Sequence, residues 1–139
     1  LLNDTKGQLL IVDFAFSNLF NGERVKNLLS YTSEMVSAFQ GKYHRHHYTS
    51  DELEDLLSAT TLKVVKSSIE QEEATEADLE DGRKRARKHL DRLLGKVEKL
   101  ESNNVTKSFL ANLLALDGNL IEKYPVDYSS ILILQASVI

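Results

Sequence analysis

The residues best suited to chemistry are the basic side chains of one predicted helix. There, an acidic run over residues 70–81 is followed by five cations within six residues. Arginine and lysine side chains bind carboxylates and phosphates, so the cluster creates a local positive potential although the formal net charge of the chain is -4. Seven candidate partner-binding residues, here called the basic ridge, are Arg83, Lys84, Arg85, Arg87, Lys88, Arg92 and Lys96.

The basic ridge is open to several interpretations. The favoured one is a non-enzymatic adaptor or assembly surface that docks an acidic or helical protein partner. The alternative is a nucleic-acid-binding or ribonucleoprotein component, although a pI near 5.6 is unlike the basic excess of such proteins. A third interpretation is a solvated face, with exposed pairs of Glu80 with Lys84 and of Asp81 with Arg85. A homo-oligomer is the remaining one, because the same helix has an apolar seam with heptad-like spacing.

A second cluster, here called the histidine segment, lies in a predicted loop. It consists of Tyr43, His44, Arg45, His46, His47 and Tyr48. Imidazoles bind zinc, copper or nickel, but the nearest carboxylates, Asp51 and Glu52, are suited to capping a helix. We therefore predict no metal site and no cofactor. The two tyrosines and the arginine form a candidate secondary patch that could stack on bases and hold phosphate.

Motifs of the common enzyme classes do not occur in the sequence. It has no glycine-rich phosphate loop, no nucleophile elbow and no paired helix histidines with an intervening glutamate. Arg83 or Arg85 followed by His89 resembles the arginine and histidine pairing on a helix of the HEPN ribonucleases, which are small and all-helical. This resemblance covers only these few residues. It implies His89 as a base and the arginine as a phosphate contact, and leaves a helical ribonuclease as a remote alternative to a protein without enzymatic activity.

The elements that position these residues are predicted to be helices. One proline and six glycines in 139 residues leave few breakers, which favours an all-α, single-domain bundle of five or six mostly antiparallel helices over residues 1–139. The first helix is predicted from Asp4 or Thr5 to the Asn21-Gly22 pair, with a strand over residues 8–16 as the alternative. The second contains the periodic apolar residues from 25 to 39 and ends at Gly41.

Capping signals define the remaining helices. Thr49 and Glu52 have the spacing of a capping box and start a third helix, which is predicted to continue to Ile69 although its apolar stripe changes face. Thr75 and Asp78 start the fourth, which carries the basic ridge and runs to about residue 100. The fifth begins at Asn103 or the next residue and is ended by Pro125 at the latest. Residues 126–139 contain a last segment that could be helix or strand.

Composition sets the class of protein. The chain contains no cysteine, which excludes disulfides and thiolate metal sites. The apolar run over residues 9–16 is interrupted by Asp13 and is too short to span a bilayer. No signal peptide is recognised, so we predict an intracellular protein without membrane insertion.

Overall fold

The fold is mixed α/β, and the prediction of an all-α bundle is wrong. The computed structural model describes residues 7–14, 21–43, 48–71, 73–127 and 130–138. Within these ranges lie four helices and three strands, in the order β1 (Gln8–Phe14), α1 (Asn21–Phe39), α2 (Ser50–Ser58), β2 (Leu62–Glu70), α3 (Glu76–Glu98), α4 (Asn104–Lys123) and β3 (Ile131–Val138).

Two strands lie in segments that were predicted to be helical, and the third lies in the last segment, which was left open between helix and strand. The predicted first helix is β1 over its described part, as the alternative interpretation had it. The predicted third helix ends at Ser58, and the change of apolar face after it marks the start of β2. In the last segment, β3 alternates buried and more exposed residues, which is the period of a strand. Backbone pairing across a sheet, which local sequence does not show, decides these segments.

The predicted starts of α2, α3 and α4, which rest on capping chemistry, are confirmed. Thr49 and Glu52 form a capping box, in which the amide of Thr49 donates to Glu52 Oε2 at 2.9 Å. Thr75 and Asp78 form the second box at the start of α3. The side chain of Asn103 accepts from the third amide of α4, at 2.8 Å. Such side chains satisfy amides that have no partner within the helix, so they fix where it begins.

The described elements form two compact units. The sheet unit contains the three strands and α2, and the helical unit contains α1, α3 and α4. This division does not test the prediction of one domain over residues 1–139, but that domain is not purely helical.

In the sheet unit, β3 is the central strand and pairs antiparallel with β1 on one side and β2 on the other. One face of the sheet packs on α2, around the buried side chains of Leu57, Leu134 and Ala136. The helical unit has its own apolar core. Its buried residues are Val25, Leu29, Val36, Ala86, Leu93, Val97, Leu100, Leu110, Leu114, Ile121 and Val126.

Candidate functional site

Helix α3 holds the basic ridge by burying its opposite face. Ala86, Leu93 and Val97 lie in the core of the helical unit, where α3 packs against α4 and α1. These residues belong to the predicted apolar seam, so the seam is used within the chain. Self-association through another surface stays a prediction.

Two arginines of the ridge tie α3 to α4. Arg83 Nε donates to the backbone oxygen of Ile121 at 3.0 Å. Arg87 forms a bidentate pair with Glu122, in which Nε and Nη2 each lie 2.6 Å from a carboxylate oxygen. The hydrogen bond from Arg87 lowers the pKa of Glu122, and the same bond raises the pKa of Arg87. Their guanidinium groups therefore have structural partners 35 or more residues away along the chain.

A third arginine is paired within α3. Arg85 forms an ion pair with Asp81, one turn earlier on the same helix. Both side chains are exposed, so the pair adds little to the stability of the fold, but it neutralises part of the ridge charge. Sequence spacing had indicated this pair.

The remaining four ridge residues form an exposed row, here called the outer row. Its members are Lys84, Lys88, Arg92 and Lys96. A spacing of four residues places successive Cα atoms roughly 6 Å apart along the helix, so the row extends over about 18 Å. Arg92 Nε donates to the backbone oxygen of Lys88 at 3.3 Å. The outer row thus presents four cations along the exposed side of α3.

The histidine segment is placed only at its two ends. Tyr43 is 89% exposed and Tyr48 is also exposed. His44, Arg45, His46 and His47 lie outside the described residues. Among the residues described, no group of three histidine, aspartate or glutamate side chains could hold a metal ion, and that search did not reach these histidines.

The resemblance to the HEPN ribonucleases implies an all-helical fold, which this chain does not have. His89 is half-buried on α3. Arg83, one of the two arginines in the resemblance, is engaged with the backbone of α4. The geometry therefore adds no support for a ribonuclease site.

A polar cluster on α1 was not predicted. Glu23, Lys26 and Asn27 are buried, and so is Asp127. Burial lowers the pKa of Lys26, and the attraction of Glu23 and Asp127 opposes that shift. A buried lysine with a lowered pKa can serve as a base, but a cluster of opposite charges also stabilises structure. In the sequence, these residues have the pattern of the solvated face of an amphipathic helix. No local sequence signal therefore distinguishes a buried polar cluster from an exposed one.

An apolar groove of about 430 Å³ lies between α1 and the end of α4. Val25, Leu28, Leu120, Tyr124 and Pro125 line it, with Arg24.

No helix within the described ranges is long and apolar enough to cross a membrane.

Comparison with known proteins identifies a fold but no family. No protein-family model matches the sequence, and no curated protein matches it. A similar solved structure is that of a cyclopropane-fatty-acyl-phospholipid synthase-like protein from Lactobacillus casei, with a TM-score of 0.64 at 10% sequence identity. The match covers 94% of this chain and 44% of that one, so the chain spans less than half the length of its structural neighbour.

Proposed function

We propose that this chain is a non-enzymatic interaction domain that docks an acidic protein surface through the outer row of α3. The supporting observation is that only part of the basic ridge is engaged within the chain. Arg83 and Arg87 hold α3 against α4, whereas Lys84, Lys88, Arg92 and Lys96 project from the exposed side. Cations that a protein does not need for its own fold are available to steer and bind a partner of opposite charge.

An acidic protein fits the outer row better than a nucleic acid does. The row is a single line of four cations on a chain with a net charge of -4. Nucleic-acid sites spread their cations over several elements, and their affinity falls steeply with salt. The ridge arginines Arg83 and Arg87 are committed to α4, which leaves fewer contacts for a phosphate backbone.

Charge reversal of the outer row tests this function. We expect Lys88→Glu/Arg92→Glu to weaken binding of a fluorescent poly-glutamate peptide at least tenfold, measured by anisotropy at low and physiological salt. The matched control is Lys63→Glu/Lys66→Glu on β2, which changes the net charge equally at two other exposed lysines. Circular dichroism checks that helix content is retained.

Two results would contradict the proposal. Equal weakening by the ridge and control variants would show that only net charge matters. Tighter, salt-sensitive binding of single-stranded RNA than of the peptide would instead favour the nucleic-acid alternative.

A second candidate is a portion of a larger enzyme akin to the synthase-like protein. The observation in its favour is a shared fold over 94% of this chain, which accounts for 44% of the longer one. The 139 residues lack a glycine-rich phosphate loop and a recognisable catalytic motif. Under this candidate, the reacting groups come from further polypeptide, and the outer row faces a surface of the same enzyme.

A further inference from the structure

The two outer strands of the sheet have differently built edges. On β2, Lys63 and Lys66 are exposed, and the pairing register is irregular between Val64 and Lys66. Charged side chains and bulges are the usual means by which an edge strand avoids pairing with further polypeptide. β1 has regular pairing throughout, and its single charge, Asp13, lies near its end. Within the described residues, neither of these devices protects the outer edge of β1.

The backbone of β1 leaves pairing groups on this edge. The amide of Val138 donates to the oxygen of Gly7 at 3.4 Å, which marks these opposite residues as a hydrogen-bonded pair. In an antiparallel ladder such pairs alternate, so Leu9 and Ile11 bond to β3 and the amides and carbonyls of Leu10 and Val12 point outward. No strand among the described residues pairs with them.

Residues 9–12 of β1 place apolar side chains on both faces of the strand. Leu9 and Ile11 pack on the cluster around Leu57, whereas Leu10 is 63% exposed and Val12 is 58% exposed. A continuous apolar run is typical of a strand that is buried on both faces inside a larger sheet. As an edge strand, β1 would be a site of aggregation.

We propose that a further β-strand, contributed by polypeptide outside these 139 residues, pairs with the outer edge of β1. In the similar solved structure, the matched fold makes up 44% of the chain. In that protein, the fold therefore occurs together with additional polypeptide of the same chain. That polypeptide, rather than a second copy, is the occupant. Its strand is uncharged and rich in branched apolar residues, because it continues a sheet whose neighbouring strand is apolar on both faces. The inference does not depend on the basic ridge.

Amide hydrogen exchange, followed by NMR, tests the proposal. It compares the 139-residue chain with the protein expressed from the complete reading frame that contains it. We expect the Leu10 and Val12 amides to exchange fast in the chain alone and at least a hundredfold more slowly in the longer protein. Equal exchange in both forms overturns the proposal, and so does a reading frame that adds no polypeptide. Protection that appears in the chain alone and increases with its concentration overturns it in favour of a second copy.

A matched pair of substitutions gives a second measurement. Val12 and Val65 are similarly exposed, at 58% and 55%, but lie on opposite edges of the sheet. We expect Val12→Lys to lower the melting temperature of the longer protein by several degrees, with little change from Val65→Lys. In the 139-residue chain, neither substitution should change the melting temperature appreciably. Equal effects of the two in the longer protein would show that the β1 edge is solvent-exposed there too.

Discussion

Two leucines of α4 give a quantitative prediction about the core of the helical unit. Leu114 is 0% exposed, whereas Leu116, two residues further along the same helix, is 58% exposed. Replacing either by alanine changes the helix propensity by the same small amount. The difference between the two variants therefore measures burial.

The magnitude follows from that burial. Leu→Ala at a fully buried position costs about 2–5 kcal/mol, from lost transfer free energy and from the cavity left behind. We expect Leu114→Ala to cost about 3 kcal/mol. Leu116 keeps most of its contact with water, so Leu116→Ala should cost roughly 0.5 kcal/mol. The expected difference of about 2–3 kcal/mol corresponds to roughly 6–12 °C in melting temperature for a chain of this size.

Urea unfolding followed by far-UV circular dichroism provides the assay. Wild type and both variants are measured together, and their m-values are compared to verify that the same surface is exposed on unfolding. Equal destabilisation by the two substitutions would refute the placement of Leu114 in the core. A larger cost for Leu116→Ala would show that α4 is rotated about its axis.

Two further predictions concern α3 and α4. Gly95→Ala should raise the free energy of unfolding by about 0.5–1 kcal/mol, since alanine favours helix and a Cβ at Gly95 meets no atom within 4 Å. Gly118→Ala should raise the free energy of unfolding less, because its Cβ would lie 3.3 Å from Leu90 Cδ2. Urea unfolding measures both variants, and a larger gain for Gly118→Ala than for Gly95→Ala would contradict the prediction. Burial raises the pKa of Asp117 above its ordinary 3.8, and a hydrogen bond from Thr32 opposes the rise, so the ionised carboxylate weakens the fold at neutral pH. Asp117→Asn should therefore be more stable than wild type near neutral pH. Its advantage in free energy of unfolding should shrink as the pH falls towards 3.8, because the wild-type carboxyl then takes up its proton. An advantage that does not change with pH would contradict this prediction.

The sequence predicted helix starts better than it predicted the class of fold. Thr49, Thr75 and Asn103 act through side-chain bonds to amides three residues away, so their effect is local and readable. The strands could not be assigned in the same way. In β1 every residue from 9 to 12 is apolar, which suits a buried helix as well as a strand, and the partner strand begins at Ile131. A low content of proline and glycine then favoured helices.

The candidate site was predictable in part. The exposed spacing of Lys84, Lys88 and Arg92 follows from the period of a helix whose apolar face is recognisable. The engagement of Arg87 with Glu122 does not, because the two residues are 35 positions apart and meet only when α3 packs on α4. The sequence therefore overestimated the number of cations available to a partner.

The order of the strands in the sheet has a consequence for synthesis on the ribosome. Of the three described strands, β1 is made first, and its neighbour β3, the central strand, is made last. Neither β1 nor β2 has its partner until then, whereas α1, α3 and α4 are all complete earlier. The helices of the helical unit are therefore complete before β3, and the pairing of β1 with β3, which are far apart in the sequence, is a late step of folding.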